Sequence, residues 1–213
     1  MDHHLELRPG FAVVDVETTG FAPEEERIIE VGVVVLDHAG DEVGSFCTLV
    51  DPGRDPGPTH IHGIDASMVT GAPTFTGIWP YLAGLLSGRV VVGHNVDRFD
   101  LAFLRAECRR SGGEDAVPGP LPTVDTLSVA QHQLGLRGRA TLVDCCAHYG
   151  LSWADHHNAL GDARVTAALF RAMRKELGDD LLGLAQGRPG YPVWPGASAV
   201  APVLLARTDA LTG

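Results

Sequence analysis

The sequence lacks any apolar run long enough to cross a membrane. Such a span needs roughly 18 to 20 consecutive apolar residues, and no run in the 213 residues approaches that length. The first residues, Met-Asp-His-His-Leu-Glu, also lack the basic and apolar regions of a secretory signal peptide. We therefore expect a cytoplasmic protein that does not contact a membrane.

Cysteine is scarce and poorly spaced for a structural role. The chain has 4 cysteines, none in C-x-x-C spacing, and the adjacent Cys145 and Cys146 on a helical pattern suit neither a disulfide nor a zinc site. We expect reduced thiols in the core. A chain of this length can bury a sufficient core without disulfides or structural metals.

Positive charge is also scarce. Lysine and arginine number 16 against 27 acidic residues, for a net charge of −11, which argues against tight non-specific binding along a phosphate backbone. A nucleic acid would have to be held locally, at a few residues. Acidity does not exclude a nuclease, because a carboxylate cluster that binds cations would carry a large share of the negative charge.

The apolar segments predict an α/β domain. Three β-branched runs, at residues 11–17, 27–36 and 42–50, predict a meander of strands. Downstream, strands alternate with helices, which favours a sheet with helices on its faces. The elements expected there are a Pro/Gly-rich loop (51–58), helices at 66–69 and 73–86, a strand at 89–93, a helix at 98–110, a surface loop at 111–120, a strand at 121–124, a helix capped by 125–126 that runs to 133, and helices at 141–149 and 158–177.

Composition changes at Gln186. Glycine, proline and alanine dominate from there on, and such a segment cannot supply a second core. We predict one catalytic domain over residues 8–185 and a tail over residues 186–213, in which Tyr191 and Trp194 could dock on the body.

Two acidic residues close the first predicted strand. Asp15 and Glu17 are separated by one residue, so on an extended strand both side chains point to the same side of the sheet. In an apolar strand the two carboxylates would repel each other and lose hydration unless a cation neutralised them. Hard oxygen ligands of this kind suit Mg²⁺ or Mn²⁺. Alternatively, both acids lie beyond the strand in solvent, which is the commoner case for an isolated pair.

Two further motifs each carry an acid near the start of a predicted helix. The segment from His94 to Asp100 follows a strand and enters a helix, and the segment from His157 to Asp162 opens another. Strand ends and helix starts are where α/β sheets place their ligands. Taken singly, Asp100 and Asp162 could be first-turn acids favoured by the helix dipole. It is their combination with the strand pair, in this order, that indicates a function.

Together the motifs resemble those of the DEDDh exonucleases, a DnaQ-like family. The segments DVETTG (15–20), HNVDRFD (94–100) and HNALGD (157–162) are similar to the family's first, second and third motifs. The resemblance runs from about residue 11 to residue 173. It implies an RNase H-like α/β fold, with a mixed five-stranded sheet flanked by helices on both faces. Supporting matches are His62-Gly63-Ile64, Pro73-x-Phe75 and Val124-Asp125-Thr126-Leu127.

The resemblance implies a role for each catalytic position. Asp15 would bridge two divalent cations, Mg²⁺ or Mn²⁺, and Glu17, Asp100 and Asp162 would complete the ligand set. His157 would accept the proton of the attacking water, a role that suits an imidazole near neutral pH.

Residues beside these motifs are candidates for contact with the terminal nucleotide. Phe21 could stack on a base, although it could equally belong to the core. His62 either approaches the scissile end, as the resemblance implies, or only caps a turn. The full set of predicted substrate contacts is Thr18, Thr19, Gly20, Phe21, His62, Asn95 and Phe99.

The second motif is one residue longer than the H-N-x-x-F-D of proofreading subunits. Its longer form is similar to that of the animal three-prime repair exonucleases, as is the Gly161-Asp162 pair. This spelling favours a stand-alone or repair-like exonuclease over replicative proofreading.

The sequence therefore predicts a 3′→5′ exonuclease that releases nucleoside 5′-monophosphates by a two-metal mechanism, with single-stranded or mismatched DNA favoured. An exoribonuclease acting on short RNA or RNA 3′ ends is an alternative, because the same carboxylates serve both sugars. A non-catalytic subunit bound to a polymerase or repair protein is another, although it would have no use for four repelling carboxylates. A homodimer and a polymerase or repair partner are both compatible with the sequence.

Overall fold

Five strands form one sheet in the computed structural model, which describes residues 10–112, 121–132, 135, 140–152, 158–178 and 181. They are β1 (Phe11–Thr18), β2 (Ile28–Leu36), β3 (Glu42–Leu49), β4 (Val90–Gly93) and β5 (Thr123–Asp125). Their order across the sheet is β3-β2-β1-β4-β5. β2 runs antiparallel to both β1 and β3, whereas β4 and β5 run parallel to β1. The predicted meander and the predicted mixed five-stranded sheet are confirmed.

Helices cover both faces of this sheet, as predicted. Among the described residues they are α1 (Thr59–His62), α2 (Ala66–Val69), α3 (Phe75–Leu86), α4 (Asp100–Gly112), α5 (Thr126–His132), α6 (Leu142–His148) and α7 (Ala159–Leu177). The apolar sides of α3 and α4 pack on one face of the sheet, and those of α5, α6 and α7 pack on the other. None of the helices in the described part of the chain has the length and hydropathy to cross a membrane.

The centre of the sheet is buried on both sides. All nine residues of β2 are buried, because helices cover one face and the start of α7 lies against the other. On the α7 face, the rings of Phe11 and Phe170 lie 4.7 Å apart between centroids. On the opposite face, Leu82, Leu101 and Phe103 are fully buried. The valine-rich strands suit this environment, because branched side chains pack well on a pleated surface.

The cysteines behave as the sequence predicts. Cys47, Cys108, Cys145 and Cys146 are all free thiols and all buried. Burial raises the pKa of Cys108 to about 12 and that of Cys145 to about 11, so both thiols stay protonated near neutral pH.

Element boundaries differ from the sequence prediction by a few residues. α4 begins at Asp100 rather than at residue 98, and β5 extends to Asp125, which the sequence assigned to a helix cap. The cap is nevertheless present, because Oδ1 of Asp125 accepts hydrogen bonds from the amides of Leu127 (3.0 Å) and Ser128 (3.4 Å). The one-turn helix α1, which ends at Gly63 in the left-handed conformation, has no counterpart in the predicted elements.

Candidate active site

The first two acids lie where β1 leaves the core. Asp15 and Glu17 are half-buried between fully buried neighbours, and they pair with Gly32 and Glu30 of β2. A register shift follows Glu17, so the strand pairing becomes irregular just beyond the acids. The alternation of the strand puts both carboxylates on one face of the sheet, as the spacing predicts. The alternative that both acids lie free in solvent is excluded.

Helix α7 brings a third acid onto that face. Asp162 lies in the first turn of α7, which begins after Asn158; the Asn158 side chain accepts a hydrogen bond from the Gly161 amide at 2.8 Å. One carboxylate oxygen from each of Asp15, Glu17 and Asp162 lies within 4.8 Å of the other two. Three of the four predicted metal ligands therefore converge from two distant parts of the chain.

The fourth acid joins the cluster through a different contact. Oδ1 of Asp100, which is only 3% exposed, accepts a hydrogen bond from the amide of Val16 at 3.0 Å. Val16 lies between Asp15 and Glu17, so this bond connects the start of α4 directly to the acidic strand. Asp100 also raises the pKa of Asp15, more strongly than any other neighbouring charge does. The four predicted ligands thus share one electrostatic environment.

The carboxylates strongly resist ionisation in the absence of a cation. Burial, followed by the charges of Glu30 and Asp162, raises the pKa of Glu17 to about 7. Burial also raises the pKa of Asp100 to about 8, even though the hydrogen bond from Val16 favours its charged form. The pKa of Asp15 is raised well above its usual range by burial and by the surrounding acids. A site with these properties fits divalent cations, because their charge would offset the repulsion and restore the ionised state.

The extra residue of the second motif is taken up by a wide turn before α4. The Leu101 amide donates to the Val96 carbonyl at 3.0 Å, a bond that spans five residues instead of four. Asn95 starts this turn with φ of 71°, the one positive φ at a non-glycine residue in the described ranges. Its amide donates to Oδ1 of Asp125 at 2.9 Å. The longer motif therefore still delivers Asp100 to β1.

The predicted general base falls outside the residues that the structure describes. His157 belongs to residues 153–157, outside the described ranges, whereas the next residue, Asn158, caps α7. The role of His157 stays a prediction from the H-x-A-x-x-D spacing. The tail from residue 186 onward, with Tyr191 and Trp194, also lies outside the described ranges.

Phe21 lies just beyond the acidic strand and is 78% exposed, which rules out the alternative that it belongs to the core. Hydrogen bonds from two arginine side chains hold the loop that carries it. Arg110 donates to the carbonyls of Pro23 (3.0 Å) and Glu26 (2.9 Å), and Arg54 donates to that of Glu25 (2.8 Å). An exposed aromatic ring on a braced loop beside the acids is available for contact with a ligand.

The residues between the acids and Phe21 are engaged within the protein. Thr18 and Thr19 are buried; the Thr18 hydroxyl donates to the Gly20 carbonyl at 2.6 Å, and the Thr19 hydroxyl donates to Glu26. A Cβ on Gly57, whose φ is 88°, would lie 2.4 Å from the Thr19 carbonyl oxygen, so this close approach requires glycine. Any contact of this turn with a ligand would come from its backbone.

Two other predicted substrate contacts face the interior. His62 is 3% exposed, and its Nδ1 accepts a hydrogen bond from the Ile64 amide at 3.1 Å. Burial lowers the pKa of His62, which favours the neutral ring. Phe99 is half-buried and packs against Phe103, with ring centroids 5.0 Å apart. In this structure, His62 caps a turn and Phe99 braces the start of α4.

Sequence reasoning missed a fifth acid at this site. Glu30 lies opposite Glu17 on β2, is 1% exposed, and accepts a hydrogen bond from the Ala159 amide at 3.0 Å. The available signal was a single charged residue inside the apolar run RIIEVGVVVL, where a buried carboxylate is costly unless it has partners. Asp125 is a further supporting acid, because it fixes the turn at Asn95.

Comparison with known proteins settles the family. The RNase_T family model, described as Exonuclease, matches residues 12–170. The chain belongs to this exonuclease family. The DnaQ-like recognition and the RNase H-like fold predicted from the motifs are confirmed, and so, at the level of the family, is an exonuclease.

Similar proteins include DNA polymerase III proteins. The chain is 36% identical over 162 residues to a PolC-type DNA polymerase III of Thermotoga maritima, covering 75% of this exonuclease chain but 11% of the polymerase. It is 35% identical over 170 residues to the DNA polymerase III subunit epsilon of Treponema pallidum, covering 76% of this chain and 75% of the relative. A crystal structure of E. coli exonuclease I with a dT13 oligonucleotide matches the fold with TM-score 0.66 and 18% identity, over 80% of this chain and 42% of that one.

Proposed function

We propose that this chain is a divalent-cation-dependent 3′→5′ exonuclease domain that removes nucleoside 5′-monophosphates from DNA 3′ ends. The observation that carries the proposal is the convergence of Asp15, Glu17 and Asp162, whose carboxylate oxygens lie within 4.8 Å of one another. A purely structural domain would gain nothing from placing like charges together in a half-buried site.

Four acids would hold two cations, Mg²⁺ or Mn²⁺. Asp15 is central, because Asp100, Asp162 and Glu17 all act on its pKa, so it suits a ligand shared by both ions. The two ligand sets would be completed by Glu17, Asp100 and Asp162. All of these ligand atoms are carboxylate oxygens, which suit hard ions. Bound there, the cations would supply a nucleophile at neutral pH and neutralise the charge that develops on the phosphate.

The proton of the attacking water requires a separate acceptor. The carboxylates would be occupied as ligands, and His157 lies five residues before Asp162 in the third motif. We propose that its neutral imidazole takes this proton, which suits a group whose ordinary pKa is near 6.5.

The terminal base would stack on the ring of Phe21. The ring is exposed, lies next to the acidic strand and is carried by a loop that Arg110 and Arg54 hold in place. Stacking on an aromatic ring accepts any base, which suits an enzyme that removes one nucleotide after another. The backbone of Thr18, Thr19 and Gly20 would contact the sugar and phosphate beside it.

Single-stranded or mismatched DNA is the preferred substrate in this proposal. The net charge of −11 disfavours a long contact with a duplex backbone, so recognition of a few terminal nucleotides fits better. The likeness to exonuclease I, whose structure holds a dT13 oligonucleotide, and to polymerase proteins supports DNA over RNA.

The arrangement of the whole protein is a separate proposal. We place the exonuclease domain at residues 8–185, a range that contains the whole family match at residues 12–170, with residues 186–213 as a tail. A DNA polymerase is the proposed partner, because the relatives include a polymerase subunit and a polymerase that contains a domain of this kind. A stand-alone or repair-like enzyme, which the longer second motif favours, is the alternative.

Matched oligonucleotides test this function. DNA and RNA of one sequence, single-stranded or paired with a mismatched 3′ end and labelled at the 5′ end, are incubated with the purified protein and Mg²⁺ or Mn²⁺. We expect a ladder of products that shortens from the 3′ end, with single-stranded and mismatched DNA cleaved faster than paired DNA or RNA. Faster cleavage of RNA would support the exoribonuclease alternative. Intact substrate under all conditions would support the non-catalytic subunit.

A further inference from the structure

Glu30 is a buried acid that the proposed ligand set does not use. It lies opposite Glu17 across the β1–β2 pair and is 1% exposed. Like charges directly opposite each other on a sheet are destabilising. A carboxylate in this position therefore needs a compensating role.

The contacts of Glu30 point to the start of α7. Oε2 accepts a hydrogen bond from the Ala159 amide at 3.0 Å, and the Cys47 thiol lies 3.5 Å from Oε1. Ala159 is the first residue of α7, and first-turn amides of a helix have no acceptor within the helix. A carboxylate at this end also interacts favourably with the helix dipole. Glu30 thus holds the N-terminus of α7 through a hydrogen bond from the first amide of the helix.

Gly32 makes this contact possible. It lies two residues after Glu30 on the same face of β2 and pairs with Asp15. A Cβ at this position would lie 2.3 Å from the Ala159 carbonyl carbon and 2.5 Å from the Leu160 nitrogen, so only glycine lets α7 approach the strand this closely. Ala159 itself is fully buried. Glu30 and Gly32 together form a seat for the backbone of Ala159, which we call the α7 seat.

The α7 seat holds a residue of the third motif. Ala159 is the alanine of H-x-A-x-x-D, two residues after His157 and three before Asp162. One turn of helix separates the anchored amide from the Asp162 carboxylate, which has to reach oxygens of Asp15 and Glu17 within 4.8 Å. A shift of α7 by an ångström would open this cluster. Misplacement on that scale can cost about a hundredfold in rate.

We propose that Glu30 is a positioning residue of the exonuclease site, which holds the first turn of α7 on Gly32 so that Asp162 meets the carboxylates of β1. The role belongs chiefly to the hydrogen-bond acceptor, because Oε2 accepts the bond that holds the Ala159 amide. This inference rests on the proposed function for its catalytic consequence. The anchoring of Ala159 does not depend on it.

Substitutions at Glu30 separate the acceptor from the charge. Glu30→Gln keeps a carbonyl oxygen for the Ala159 amide, whereas Glu30→Ala removes it. We expect Glu30→Ala to lower kcat about 10- to 100-fold, in the range found for partners that orient metal ligands, with KM for the oligonucleotide within about twofold of wild type. Glu30→Gln should stay within about threefold of wild type. Gly32→Ala should resemble Glu30→Ala, because its Cβ displaces the same backbone.

A measurement without metal tests the anchor itself. Hydrogen exchange of the Ala159 amide, followed by NMR in chelator and compared with core amides of β2, should be slow in wild type and Glu30→Gln and much faster in Glu30→Ala. Glu107→Gln is the matched control, since Glu107 is also 1% exposed but lies on α4, which packs on the opposite face of the sheet from α7, and bonds to Arg27 (2.8 Å) and to the Ile28 amide (3.2 Å). It should lower Tm without changing the relative protection of Ala159.

The outcomes are distinguishable. Equal losses of kcat in Glu30→Ala and Glu30→Gln, with Ala159 protection unchanged, would overturn the proposal in favour of a role for the charge. Wild-type kcat in Glu30→Ala would overturn it as well. A wild-type protein without nuclease activity would contradict the proposed function, but loss of Ala159 protection in Glu30→Ala would still support the anchor.

Discussion

Oδ1 of Asp100 accepts a hydrogen bond from the backbone amide of Val16 at 3.0 Å, across 84 residues of sequence. Val16 separates Asp15 from Glu17, so the bond ties the helix of the second motif to the strand of the first. One oxygen of Asp100 is engaged by the backbone, and the carboxylate as a whole remains part of the acidic site. Asp100 therefore has a structural role besides its proposed role as a metal ligand.

The two roles of Asp100 can be separated by substitution. Asp100→Asn keeps an oxygen for the Val16 amide but removes the negative charge, so we expect a folded protein whose nuclease activity falls by more than about a hundredfold, beyond the loss typical of an outer partner of a metal ligand. Asp100→Ala also leaves the buried amide without an acceptor, which costs about 1 to 3 kcal/mol. Denaturant unfolding and activity assays of both variants check this. Equal stabilities would show that the Val16 bond contributes nothing.

The acidic site should make the metal-free protein less stable as pH rises. The folded-state pKa of Glu17 is about 7, against an ordinary value of 4.5, so the folded protein binds this proton more tightly than the unfolded chain does. The stabilising contribution of the Glu17 proton is complete below about pH 4.5 and is lost as pH rises through about 7. Asp100, with a pKa of about 8, extends the pH range of this loss upward. We expect Tm in chelator to fall between pH 5 and pH 8.

Glu17→Gln tests the origin of this dependence. The amide cannot ionise, so the variant should be more stable than wild type at pH 8 in chelator, by about 1 to 3 kcal/mol, and should differ little at pH 5. Added Mn²⁺ should raise the Tm of wild type more than that of the variant. Parallel Tm curves for the two proteins from pH 5 to pH 8 would mean that Glu17 does not titrate in this range.

Substitutions of two adjacent histidines test which residue is the general base. Only His157 gives the H-x-A-x-x-D spacing, and His156 precedes it directly. We expect His157→Ala to lower kcat about 10²- to 10⁴-fold, as loss of a general base does, and His156→Ala to leave it within a few fold of wild type. Rates measured from pH 5 to pH 9 should also lose their acid limb in His157→Ala. The reverse ranking of the two variants would assign the base to His156.

Phe21 should contribute to binding and not to chemistry. Stacking on a base contributes about 1 to 3 kcal/mol, so Phe21→Ala should raise KM for single-stranded DNA about tenfold with kcat little changed, and Phe21→Trp should retain binding. Val43→Ala is the control, because Val43 is also exposed (64%) but lies on the edge strand β3. Steady-state kinetics of the three variants would contradict the assignment if Phe21→Ala left KM unchanged.

The sequence predicted those features that depend on local periodicity and spacing. Two acids at alternate positions of a strand have to share a face, which is why the Asp15 and Glu17 geometry followed from the sequence. The spacing within each motif likewise indicated Asp100 and Asp162, but their distance from the strand pair depends on the fold. Their convergence on the strand pair was predicted from the family resemblance and not from periodicity.

Other features depend on contacts that no local pattern reports. The bond that spans five residues from Leu101 to Val96 absorbs the extra residue of the second motif, and nothing in the segment's composition predicts it. The seat of Ala159 on Gly32 joins positions 127 apart, and a glycine in a valine-rich strand has several possible causes. The exposure of Phe21 was equally open, because an aromatic after a turn packs inward or outward according to the loop that carries it.

The central claim is that Asp15 and its partner carboxylates remove 3′ nucleotides with the help of divalent cations. It is tested most directly by release of a label from the 3′-terminal nucleotide of single-stranded DNA, measured for wild type with Mn²⁺, wild type in excess chelator, and Asp15→Asn with Mn²⁺. We predict rapid release of the labelled 5′-monophosphate in the first case and a loss of more than about a hundredfold in the other two, beyond the loss typical of an outer partner of a metal ligand. Full release in chelator, or normal turnover by a folded Asp15→Asn protein, would contradict the account.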